Sequence, residues 1–330
     1  MSGPTNGLPA LREAIAAHAS AMRAVRCSPD QVVVVTSAQQ ATELAGKVLA
    51  DVGDRIWIEA PGYQPVEQCL IGVGLEPVPV PVDEEGLSVE AGRKLAPEAR
   101  LAYVTPSHQY PLGCEMSIER RKALLEWAVG NDAYVIEDDY DGDYRYEGRP
   151  IASLQGMDPH GRVLYVGSFN RILFPALRIA YAIVPEPLVG PFVDAKHVTD
   201  GHTALLMQGV LAAFIQEGYM AEHLRKTRVT FDERRRAFLE AAGSLSDWLE
   251  FGPARAGLHV AALFRDQRID DQSVAKQCAR AGVDVKPLST FGVPDKKGLV
   301  FGFAAAAIPA IKPALKVVRK AAMEHAARLA

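Results

Sequence analysis

"QVVVVTSAQQATELAGKVLADVG", residues 31–53, joins a β-branched run, a hydroxyl-rich turn and a helix ending near Gly53. The run Gln31–Val35 has no alternation of polar and apolar side chains, so its strand is expected to be covered on both faces. Thr36 and Ser37 are capping residue types, set directly before the helical stretch. The free N–H groups of Ala38 and Gln39 then lie at a helix N-terminus. That is a natural seat for a phosphate, and equally the plain start of any helix.

Outward from this unit the pattern recurs. "LPALREAIAAHASAMRAV" (8–25) puts Leu11, Ile15 and Met22 near one helical face. "RIWIEAPGY" (55–63) is a strand into a Pro-Gly turn, "LEPVPVPV" (75–82) a short extended stretch, and "RLAYVTPSHQYPLG" (100–113) a strand into a loop. "SIERRKALLEWAVGN" (117–131) reads as a helix capped by Ser117, and "AYVIEDDYDGDYRY" (133–146) and "RVLYVGSF" (162–169) as further strands. Strands alternating with helices predict an α/β fold: a mainly parallel central sheet with helices on both faces, ligands sitting at the C-terminal strand ends. After about Val193 the stretch 204–242 reads as two helices or one long bent one. "GLHVAALF", "GVDVKPLSTF" and "GLVFGFA" then form a smaller C-terminal α+β domain. The division expected is a large domain over 1–230 and a small one over 231–330.

The chain has 330 residues, 48% hydrophobic and 23% charged, the composition of an ordinary globular protein. A net charge of −4 gives no basic field to attract nucleic acid. No apolar run reaches the roughly 18 residues of a membrane span, and the first residues carry no secretion signal. Four scattered cysteines without a CxxC read as small buried hydrophobes, not as a disulfide frame or zinc site. The expected location is the cytoplasm.

Candidate chemistry falls at the strand-to-loop junctions. "VIEDDYD" (135–141) places carboxylates at a strand end, where one could pair with a protonated heterocyclic nitrogen; a metal site or a solvated acidic turn fits the same letters. A calcium loop starting at Asp139 fails, because Tyr144 and Pro150 stand where Gly and Glu are needed. Ser168 and Arg178 in "GSFNRILFPALR" (167–178) are further phosphate ligands. Tyr63 suits stacking on a flat ring or burial in a core, and His108 and Gln109 are polar groups on a loop.

The ordered set "GLPALREAIA", "TSAQQA", "APGY", "TPSHQYPLG", "VIEDDYDGDYRYEGRP", "GSFNRILFPALRIAY" and "AGLH" resembles the aminotransferase-type domain of MocR/GabR-family regulators. These are relatives of the class I/II aminotransferases of fold type I, which use pyridoxal 5′-phosphate (PLP). The resemblance implies that Asp138 pairs with the pyridine nitrogen and that Tyr140 contacts the phenolic oxygen. It also implies that Tyr63 stacks on the ring, that Ala38, Gln39, Ser168 and Arg178 hold the phosphate, and that His108 or Gln109 lines the ring edge. It implies a homodimer and a small amino or keto acid as partner, with no metal.

The chain departs from that pattern in three ways. The family's (S/T)-F-S-K segment carries the lysine that attaches PLP; here Ser168-Phe169-Asn170-Arg171 stands, with "LFPALR" following in step. A guanidinium has a pKa above about 12 and no free lone pair, so Arg171 can neither attack the aldehyde nor shuttle a proton. The carboxylate-binding arginine of many relatives has no counterpart at the apolar Leu299 and Val300, nor at Pro65. No winged-helix stretch or basic recognition helix is present, so no nucleic-acid partner is expected for these residues. The expectation is a PLP-binding aminotransferase-family protein holding its cofactor non-covalently, with transamination impaired or lost. The alternatives are a non-catalytic effector module of a MocR-type regulator, or an enzyme using His108 or another group as base.

Overall fold

The computed structural model describes residues 3–149 and 151–329; Pro150, used in the calcium-loop test, lies outside them. The first part of the chain runs α1 (Pro9–Arg23), β1 (Val32–Val35), α2 (Ala38–Leu49), β2 (Arg55–Ala60), α3 (Gln64–Gly72), β3 (Glu76–Asp83), β4 (Gly86–Leu87) and α4 (Val89–Leu95). It continues through β5 (Leu101–Val104), α5 (Ile118–Gly130), β6 (Tyr134–Asp139), α6 (Leu154–Met157), β7 (Val163–Ser168), α7 (Phe169–Ile172) and β8 (Ala180–Ile183). Three helices follow, α8 (Val189–Asp200), α9 (Leu205–Gln216) and α10 (Tyr219–Ala242). The last part holds β9 (Leu249–Phe251), β10 (His259–Phe264), α11 (Asp271–Arg280), β11 (Lys286–Pro287), β12 (Gly298–Gly302) and α12 (Ile308–Ala326).

The first eight strands form one sheet in the order β1-β8-β7-β6-β5-β2-β3-β4. The pairs β3–β2, β2–β5, β5–β6 and β6–β7 are parallel, while β8 runs against both its neighbours and β4 folds back on β3. Strand β8, in "RIAYAIV", brings β1 back into the common direction. The C-terminal ends of β1, β5, β6 and β7 therefore share one edge.

The uninterrupted valines of β1 divide by parity. Val33 and Val35 join the core under α2, α3 and α8, and Val32 and Val34 join the one under α1 and α9. A third cluster lies beneath α4 and α5, where Trp57 and Trp127 stack at 3.9 Å. Both faces of the sheet are covered, which is why the strand shows no alternation.

Where one or two helices were expected after residue 204, there are two, with α8 before them. Gly201 and Gly218, both at positive φ, make the breaks. Helix α10 runs through residue 230 and packs on both α9 and α12, so it links the large sheet to the small antiparallel one, ordered β11-β12-β10-β9. Among the described residues no helix is long and apolar enough to cross a membrane.

Candidate active site

A cavity of about 390 Å³ opens at the shared C-terminal edge of the sheet. Its walls include Ala38, Gln39, Tyr63, Asp138, Tyr140, Ser168, Arg171 and Arg178. The sequence thus brings eight of its candidates to one place from five separate strand ends and turns.

Asp138, the penultimate residue of β6, forms the floor. Tyr103 on β5 donates a hydrogen bond to its Oδ2, while Oδ1 is buried with no partner. Burial pushes the Asp138 carboxyl up to about 7; Asp139 and Asp141 add to this, against the Tyr103 hydrogen bond and the Arg171 charge. Strand parity sends the neighbouring carboxylates elsewhere. Asp139 binds Arg23 Nε at 2.6 Å and accepts from Tyr165 at 2.7 Å, and Glu137 caps the backbone N–H groups of Leu154 and Gln155. Glu137, Asp138 and Asp139 thus turn to different partners and do not gather into one three-carboxylate cluster, and all three are buried rather than solvated.

The phosphate-sized end is built by two turns. Ser37 accepts a hydrogen bond from Gln40 N, capping α2, while the N–H groups of Ala38 and Gln39 have no acceptor among the described residues. Asn170 ties the second turn to the first, donating to the Thr36 carbonyl at 3.2 Å and accepting from Ile179 N at 3.0 Å. That bracing fixes Ser168 at the end of β7 and Arg178, which sits in the left-handed region at φ 53°. The Arg178 and Arg171 guanidiniums are exposed and have no ion pair among the described residues.

The ring-sized part is aromatic. Tyr110 meets Tyr63 at 5.7 Å and Tyr140 at 5.8 Å, both edge to face. Tyr140 donates to the His108 carbonyl at 2.9 Å, and burial holds its hydroxyl well above the usual tyrosine range. His108 and Gln109 do not line the cavity. His108 Nδ1 faces Asp141 at 3.0 Å behind Tyr140, and Gln109 is spent on Glu59, on the carbonyls of Pro61 and Tyr110, and on Leu112 N. Tyr110 lines the cavity in their place, and Tyr103 supports the floor. Sequence reading missed both, along with Asn170. The signal for Tyr103 was a hydroxyl-bearing aromatic in the otherwise aliphatic "LAYV".

His108, Asp141 and His259 bring ligand atoms within 4.8 Å of one another, a grouping the sequence did not suggest. His108 Nδ1 faces Asp141 at 3.0 Å and His259 Nε2 faces the Pro111 carbonyl at 3.1 Å, while His108 Nε2 is buried without a partner among the described residues.

An orphaned buried carboxylate oxygen, two unused N–H groups at a helix start, free guanidiniums and a tyrosine face match the parts of PLP. The fold and this edge-of-sheet cavity define the class: the PLP-dependent transferase fold of type I. Residues 1–305 match the family "Aminotransferase class I and II", and the chain belongs to it. It is 40% identical over 301 residues to the probable rhizopine catabolism regulatory protein MocR of Rhizobium meliloti, covering 90% of this chain and 60% of that protein. It is 33% identical over 314 residues to the uncharacterized HTH-type transcriptional regulator YdeL of Bacillus subtilis, covering 94% and 67%. The chain thus spans roughly three fifths to two thirds of the length of these regulators. An archaeal alanine:glyoxylate aminotransferase superposes with a TM-score of 0.92 at 29% identity, covering 98% of this chain and 82% of that one.

Proposed function

We propose that the chain binds PLP without a covalent link, and that its transaminase activity is lost or strongly slowed. The observation that carries this reading is the cavity wall. No lysine is among its residues, and Arg171 stands where the family motif has the attaching amine. In this reading Asp138 Oδ1 accepts from the protonated pyridine nitrogen, which is also what would make ionising that carboxyl favourable. Tyr63 covers one ring face and Tyr140 faces the phenolic oxygen. The N–H groups of Ala38 and Gln39, the Ser168 hydroxyl and Arg178 hold the phosphate. When bound, PLP supplies an electron sink for chemistry at an amino acid's α-carbon. Losing a positioned acid–base group there costs about 10²–10⁴-fold in rate, before the loss of the covalent link is counted. His108 does not replace that group, since it lies behind Tyr140 with Nδ1 facing Asp141.

The test is titration with PLP followed by borohydride reduction and peptide mapping. The expected result is saturable binding with no lysine captured; a reduced adduct on any lysine overturns the non-covalent reading.

A second reading is supported by the regulators among the relatives. Here the domain is the ligand-sensing effector module of a MocR-type transcriptional regulator. A winged-helix segment encoded in frame before residue 1, with operator binding altered by PLP or an amino acid, is its test. Both readings include a homodimer, a small amino or keto acid ligand and a cytoplasmic location.

A further inference from the structure

The cavity has one carboxyl, Asp138, and two guanidiniums that have no ion pair among the described residues. In the PLP reading, on which this inference rests, Arg178 belongs to the phosphate end with Ser168 and the start of α2. Arg171 is left over. It lines the same cavity as Tyr63, Tyr110, Tyr140 and Asp138, so it borders the aromatic part as well as the phosphate end.

Beyond Tyr110 lies an apolar cluster that includes small-domain residues. Val300 is buried with Ala261 and Leu288, and Leu112 and Phe291 pack on that cluster. Phe291 in turn meets Tyr110 edge to face at 5.5 Å. His259, 5.1 Å from Tyr110, is kept neutral by burial and by the neighbouring His108. Lys286 is exposed and paired with Asp284 at 3.1 Å.

We propose that Arg171 anchors a carboxylate on the amine side of the ligand, so that the cavity selects an amino-acid adduct of PLP over the free cofactor. The position that holds an amine in the family motif would then serve recognition. A guanidinium presents a planar fork that matches a carboxylate in two parallel hydrogen bonds, and it repels a primary ammonium. Tyr110 on the cavity wall, backed by Phe291, suits an apolar side chain on that adduct.

Calorimetric titration with three stable probes tests this on the intact chain. The probes are N-(5′-phosphopyridoxyl)-L-leucine, the same compound lacking its carboxylate (from 3-methylbutylamine), and pyridoxamine 5′-phosphate. None can react further, so binding alone is read. The wild type is expected to favour the leucine adduct over its carboxylate-free twin by about tenfold or more, the scale of one charge-assisted contact. In Arg171→Gln that preference should vanish while the carboxylate-free twin binds as before. Arg171→Lys, which keeps the charge without the fork, should retain part of it. A wild type without preference, or a preference that survives in Arg171→Gln, overturns the anchor while pyridoxamine 5′-phosphate still binds. If none of the three binds, the PLP reading falls as well.

Discussion

In the PLP reading, a protonated nitrogen at the open oxygen of Asp138 would set that carboxyl's charge. In the ligand-free chain its pKa is about 7, well above the usual aspartate value, because burial penalises the anion. The unfolded chain therefore releases this proton near pH 4, and the folded chain only near pH 7. Across that window the folded state binds more protons, so this group's contribution to stability is present at low pH and declines as pH rises. The slope is bounded by about 1.4 kcal/mol per pH unit. Asp138→Asn removes the titration, so relative to wild type the variant should gain stability from pH 5 to pH 7.5 in thermal unfolding, and should bind PLP more weakly. A wild-type minus variant difference that is flat with pH would contradict the raised pKa. Position 171 carries the complementary prediction. Arg171→Lys restores a neutralisable amine, so borohydride should now trap PLP on residue 171 and half-transamination should speed up by about 10²-fold or more. If the variant stays inert, other parts of the site have decayed too.

The turn between β1 and α2 shows how much of the site could be read as letters. Its capping hydroxyl at Ser37, the unused N–H groups after it and the serine at the end of β7 all followed from local rules, because caps and strand ends are set by near neighbours. The ring edge was illegible for the opposite reason. Whether His108, Gln109 or Tyr110 faces the cavity depends on Glu59 and Asp141, residues 50 and 33 positions away, which draw the first two inward. Strand β8 was passed over because a short run beside a turn gives no periodicity to count, and the split of α8 from α9 rests on the single Gly201. Two caps make a matched test of the phosphate seat. Ser37→Ala and Ser117→Ala each remove one cap hydrogen bond and should each cost about 1 kcal/mol in urea unfolding. Only Ser37→Ala should also lower PLP affinity, since Ser117 caps α5 away from the cavity. Equal affinity losses in both, or none in either, would detach the start of α2 from the phosphate.

For the whole molecule, the surface feature that stands out is the uncovered side of α9. Its sequence "LLMQGVLAAFIQ" is apolar almost all the way round, yet Leu206 is 80% and Val210 55% exposed. Phe174, in the turn that carries Arg171 towards Arg178, is 51% exposed as well. Leu173 beside it and Met207 on α9 pack on the same core cluster, so both segments rise from one side of the large sheet. Apolar surface of this kind is the sort that forms interfaces, and a homodimer through it would bury α9 beside the turn that carries Arg171 and Arg178. The pair Leu206→Glu, Val210→Glu places charges on that surface without touching the core. Sedimentation velocity should find a dimer for wild type and a monomer for the double variant, each with native far-ultraviolet circular dichroism. PLP should bind the monomer more weakly, because the exposed guanidiniums of Arg171 and Arg178 would then stay in bulk water, where a charged contact is screened and worth less. A wild type that sediments as a monomer at micromolar concentration would rule out this interface. A dimeric double variant would move it to another face.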